Sequence, residues 1–252
     1  MGFKNLPYVS KAVLVPIYIT VLLWMFTVYH CCIGPTYLPT YIMAMCSDLN
    51  SLTVSLLLFG FFSRMRIIQN VLENNFVPVN IVGKDQLQKN VKIVRKCVGY
   101  YSNLLDSFDA IHTQFQITLA VSLICRLPSW VVRFYDSVQQ YLQTQSVPVD
   151  IVSVVLVTMM SLFVTTSPAF VSELISNEID AIKATLVTQL VRCSDPSLSS
   201  ELEVALHYIH IRPFKFVICR AVPVDINMPI TIVGFCITYV IVIMQFIHFS
   251  NL

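Results

Sequence analysis

Two charges sit where charges are expensive. Asp48 falls nine residues into an apolar stretch that begins at Pro39, and Arg126 eleven residues into one that begins at Phe115. At ~1.5 Å per residue those depths are ~14 Å and ~16 Å, near the middle of a ~30 Å hydrocarbon core, where a lone charge costs ~3 kcal/mol or more. Either the two meet, as a pair that could line a ligand cavity, or each is separately hydrated in a vestibule. Other chemistry-bearing patterns are thin. His207 and His210 share a helical face that could hold a metal weakly, but no Glu completes HExxH and no Cys lies near, so exposed or packed histidines are the better reading. The 8 cysteines form no CxxC pairs, and Cys31 and Cys32 read as unpaired thiols. Glu201 and Glu203 face apart on a helix and read as a solvated surface, with Ser200 and Glu203 able to form a capping box. There is no P-loop, GxSxG or dinucleotide turn, and 6 Gly leave little material for a phosphate cradle. No enzyme, metal or cofactor is expected.

The elements that must position these residues are membrane helices. Hydrophobic residues make up 56% of the 252 and charged ones 12%, with mean hydropathy +0.72, against ~25% charged in a soluble domain. Five stretches are long and apolar enough to span: 12–30, 39–62, 115–134, 151–171 and 226–249. The fold class is therefore all-α, a polytopic helical membrane protein forming one domain over 1–252. Lys and Arg gather before the first stretch, between the second and third, and between the fourth and fifth, so the positive-inside rule puts the N-terminus inside and the C-terminus outside. A net charge of +2 without a basic run gives no reason to expect nucleic acid.

The segments 63–114 and 172–225, cytoplasmic on that reading, carry more helix. Leu87, Val91, Val94, Val98, Tyr101, Leu105, Phe108 and, past His112, Phe115 recur in steps of four and three, a heptad seam that runs into the third span. Residues 63–75 extend the second span, and Leu174, Ile175, Ile179, Ile182, Leu186 and Leu190 extend the fourth. Asp195 can cap, and Pro196 start, a further helix to about Ile211. Pro128, Pro168 and Pro229 are expected to break helices.

In the last stretch Thr238, Ile241, Val242 and Gln245 share one helical stripe, and Tyr239, Val242, Ile243 and Phe246 the next. An amide facing lipid costs several kcal/mol, so Gln245 implies a wet or protein-packed face. Thr238-Tyr239, five apolar residues, then Gln245-Phe246 resembles the TY-hhhhh-QF signature that closes insect gustatory receptors. That resemblance implies a seven-span chemoreceptor of which the five stretches match spans three to seven, the first two lacking. It implies a taste receptor subunit: a ligand-gated, non-selective cation channel of four like or unlike gustatory receptor subunits, opened by a small-molecule tastant. The chain would lie in the plasma membrane of chemosensory neurons, its partners the lipid bilayer and sister subunits; with the orientation opposite to that of G-protein-coupled receptors, no G protein is expected. Gln245 and Phe246 would form the narrow outer gate, while Thr238 and Tyr239 hold the pore helix. An outer-facing ligand pocket would draw on Trp24, Tyr29, Met45, Asp48, Arg126, Trp130 and Met159, although interfacial anchoring is the default reading for Tyr41, Trp130 and Phe134. The alternative is a non-conducting truncated or accessory subunit, or a transporter fragment.

Overall fold

The computed structural model describes residues 38–75, 84–144, 149–218 and 222–250. The first expected span, with Trp24, Tyr29, Cys31 and Cys32, lies outside them. The elements are α1 (Leu38–Asn75), α2 (Lys84–Thr144), α3 (Val149–Arg192), α4 (Pro196–Ile211), a short antiparallel hairpin of β1 (Val217–Ile218) and β2 (Val222–Pro223), and α5 (Met228–Ser250). Among the described residues four helices, α1, α2, α3 and α5, are long and apolar enough to cross a membrane. The chain is thus a helical membrane protein. Three of those helices far exceed the need: 38, 61 and 44 residues make ~57, ~92 and ~66 Å at ~1.5 Å each, against a ~30 Å core.

By its internal contacts the chain divides into two compact units. One holds the described parts of Met1–Leu52, Val121–Thr166 and Pro229–Leu252; the other is Thr53–Ala120 with Ser167–Met228. The second unit is organised by seams in steps of three and four. On α1 the buried residues are Val54, Leu58, Phe61, Met65, Ile68 and Leu72; on α3 Ile175, Ile179, Ile182 and Leu186; on α4 Leu198, Leu202, Ala205 and Ile209. That alternation keeps one apolar edge facing inward along the whole length, the geometry of knobs-into-holes packing. Each fully buried Leu or Ile contributes ~1.5–3 kcal/mol.

Cross-links between helices give the directions. Arg95 meets Glu201, Ser102 meets Tyr208 and Asp106 meets Arg212, so α2 and α4 run side by side in the same sense. Ser55 meets Ser167 and Gln69 meets Thr185, so α1 and α3 do likewise. The seam expected on α2 is present, with Val94, Tyr101, Leu105, Phe108 and Phe115 buried, but it drifts: Asn90 is buried while its neighbour Val91 is only half so. On α3 Leu174 is 44% exposed and the seam runs through Ile175.

Asp195 caps α4 as its type and the following Pro196 suggest, its carboxylate accepting from the amides of Ser197 and Leu198 at 2.8 and 3.2 Å. Ser200 and Glu203 form no cap, because the helix has already begun. Pro128 and Pro168 do not break their helices; each lies inside a continuous one. A proline leaves one carbonyl of the preceding turn without its helical donor, a loss that packed neighbours and hydroxyls absorb in membrane helices. Around Pro168 the Thr165 and Thr166 hydroxyls bond back to the Ser161 and Leu162 carbonyls at 2.9 and 2.8 Å. Pro229 stands in the first turn of α5, where its missing amide costs nothing. The α2 helix also runs ten residues past Phe134: residues 135–144 are polar but contain no Gly or Pro to stop it.

Candidate functional site

Asp48 and Arg126 meet. Both belong to the first unit, Asp48 on α1 and Arg126 on α2, and Arg126 Nη2 forms an ion pair with Asp48 Oδ2. The same nitrogen donates to the Ala44 carbonyl at 2.7 Å, one turn earlier on α1. From α3 the Thr165 hydroxyl stands 3.4 Å from Asp48 Oδ1 while bonding its own helix at Ser161. The two side chains are 0% and 3% exposed. In this dry setting each charge is compensated by the other, and three helices are tied at one point. One turn beyond Arg126, Trp130 is buried too, its indole N–H donating to Ser161 Oγ at 3.4 Å. The same three helices bury further hydroxyls in the first unit, at Ser47, Ser51, Ser122, Thr158, Ser161 and Thr166.

Of the other residues expected at a ligand pocket, Met45 is half-buried on α1 and Met159 is 39% exposed on α3. Trp130 is no interfacial anchor, since at 1% exposure it has no edge to offer a headgroup region. Phe134 is half-buried, and the side chain of Tyr41 lies outside the described residues. The α3 partners Ser161 and Thr165 belong, with Thr158, to a row of hydroxyls recurring in steps of three and four within an apolar helix, a spacing visible in the sequence. Glu201 is no idle surface charge. It takes a two-pronged bond from Arg95, which holds its carboxyl below its usual value first by hydrogen bonding, against an opposing effect of burial and with help from the Arg95 charge.

The last helix has a different character. Its membrane-length segment is 17% buried, against 33–50% for the other three. What it buries is one stripe, Met228, Ile232, Cys236 and Val240, repeating every four residues. Successive residues turn by ~100°, which puts Thr231, Gly234, Thr238 and Gln245 on the opposite side. All four are exposed, and a Cβ added at Gly234 would meet nothing within 4 Å. Thr238 satisfies itself by donating to the Gly234 carbonyl at 2.9 Å. Tyr239, 48% exposed, stacks on Phe235 with ring centroids 4.4 Å apart, while Phe246 is 73% exposed. Thus Thr231, Gly234, Thr238 and Gln245 face away from the chain's own core, whereas Phe246, eighteen residues after Met228, returns to the side of the buried stripe beyond its last buried residue and is exposed there.

No curated protein matches the chain. The family model described as 7tm chemosensory receptor matches residues 4–248, nearly the whole length. With that match over nearly its whole length, and with four helices among the described residues long and apolar enough to cross a membrane, the chain belongs to the 7tm chemosensory receptor family.

Proposed function

We propose that the chain is a taste receptor subunit of a tetrameric, ligand-gated cation channel in the plasma membrane of chemosensory neurons, opened by a small-molecule tastant. The observation that carries this is the face of α5 bearing Thr231, Gly234, Thr238 and Gln245, exposed on the least buried of the four described membrane-length helices. Lipid has no partner for the Gln245 amide, whereas water in a conduit shared by several copies does. A ring of Phe246 side chains bars ions by dewetting; a ring of Gln245 amides replaces part of an ion's hydration shell once the helices spread. Tyr239 and Thr238 hold the helix rather than meet the ions. The tastant enters the first unit near Met45, Trp130 and Met159, with the Asp48–Arg126 pair as the sealed inner boundary of the pocket. The N-terminus is cytoplasmic and the C-terminus external, with the segments 63–114 and 172–225 inside the cell.

Recording from the expressed or reconstituted protein tests this. Gln245→Ala is expected to change unitary conductance, and Phe246→Ala to raise current in the absence of ligand. A conducting protein in which both variants behave as the parent refutes the gate, and a C-terminus labelled from the cytosol refutes the orientation.

A further inference from the structure

Between the end of α4 and the start of α5 the chain is bonded repeatedly to one side of α2. The Tyr101 hydroxyl donates to the Arg212 carbonyl at 2.9 Å. Burial first, then the Tyr208 phenol, pushes the Tyr101 hydroxyl up to about 12, so it keeps its proton at neutral pH. The Arg212 guanidinium reaches Asp106 at 2.8 Å and Asp109 at 2.9 Å. Past Pro213, Phe214 and Phe216 pack on Phe108 with centroids 4.8 and 5.9 Å away, and Gln116 Nε2 donates to the Val217 carbonyl at 2.5 Å. The Val224 amide then returns to the Phe216 carbonyl at 3.0 Å, and Asp225 turns the chain into α5 by accepting from Asn227 at 3.0 Å.

A planar guanidinium can serve two carboxylates at once in a fixed geometry, which an ammonium cannot. The α2 helix that supplies both carboxylates is also the one that carries Arg126 and Trp130. We propose that Arg212, through Asp106 and Asp109, is a positioning residue that fixes the root of α5 to α2 and so sets how often the pore opens, an inference that rests on the channel reading above.

The test uses the full chain, purified and reconstituted in planar bilayers without added ligand, as parent, Arg212→Ala, Arg212→Lys and Asp109→Asn. Backbone hydrogen exchange is followed over 213–232. Because these carboxylates are exposed, each contact is modest, so Arg212→Ala is expected to speed exchange and shift open probability by about two- to tenfold. Unitary conductance stays unchanged, and the other two variants fall in between. Unaltered exchange, unaltered open probability, or a changed unitary conductance each overturns the proposal. If the parent passes no current, the channel reading fails separately, and the positioning role is then judged on exchange over 228–232: faster exchange upholds it and no change refutes it.

Discussion

Separating Asp48 from Arg126 should damage the protein more than removing both. The partners are almost fully buried, bonded to each other, and tied to α1 and α3 through Ala44 and Thr165. Leaving one charge of such a pair behind costs ~3–5 kcal/mol, whereas replacing both by apolar residues of similar size is neutral or stabilising. Asp48→Leu strands a guanidinium that stays charged at any accessible pH; Arg126→Met strands a carboxylate, which can shed its charge by taking up a proton. Asp48→Leu is therefore the worse single variant. For a chain of this size, ~1 kcal/mol moves the melting temperature by about 2–4 °C, so Asp48→Leu should lower it by roughly 6 °C or more. The double variant should recover most of that loss. Thermal melts in detergent, followed by the survival of the monodisperse peak, give all three values and hence the coupling between the sites. A double variant whose loss equals the sum of the single losses would show that the pair does not act as a pair, and the account of the first unit's core would fail with it.

Two smaller effects follow from the second unit. Asp195→Ala removes the acceptor for two amides at the start of α4; it should cost ~1 kcal/mol, read as faster hydrogen exchange in residues 197–200. The pairing with Arg95 lowers the Glu201 carboxyl below its usual 4.5, so its contribution is present above the unfolded value and is lost as pH falls through the folded one. A melting difference between parent and Glu201→Gln should thus be small but measurable at pH 7 and shrink progressively as pH falls below 4.5 through the lowered folded value.

Much of the second unit was legible in the sequence because its signals are local. The three-and-four spacing on α1, α2, α3 and α4, the Asp195-Pro196 start and the run of the apolar α2 seam into the span are patterns within one helix. What escaped were features set by partners far along the chain. The hairpin at Val217–Pro223 contains no Asn-Gly or Asp-Gly turn to announce it, and the aromatic stack of Phe108, Phe214 and Phe216 helps to hold it. Glu201 is unremarkable until Arg95, 106 residues earlier, is placed beside it. The prolines misled for a related reason: local rules make Pro128 and Pro168 breaks, but packing on neighbouring helices outweighs the loss of one backbone bond. At the candidate site, the depth of Asp48 and Arg126 in their spans raised their meeting as one of two outcomes, while the part played by Thr165 and Ser161 required three helices to be seen together.

The membrane helices handle polar groups in two opposite ways. In the first unit, polar side chains on α1, α2 and α3 turn inward at Ser47, Asp48, Ser51, Ser122, Arg126, Thr158, Ser161, Thr165 and Thr166. On α5 they turn outward. Facing lipid is costly for both sets, and most so for the charged pair. Thr238 decides nothing, because its hydroxyl is already satisfied by the Gly234 carbonyl. Gln245 does decide. Its amide carries two donor hydrogens and an acceptor oxygen, it is exposed, and it lies on the same side as a glycine with open space before it. On the channel reading proposed above, a water-filled path between copies would give that amide the partners that lipid lacks.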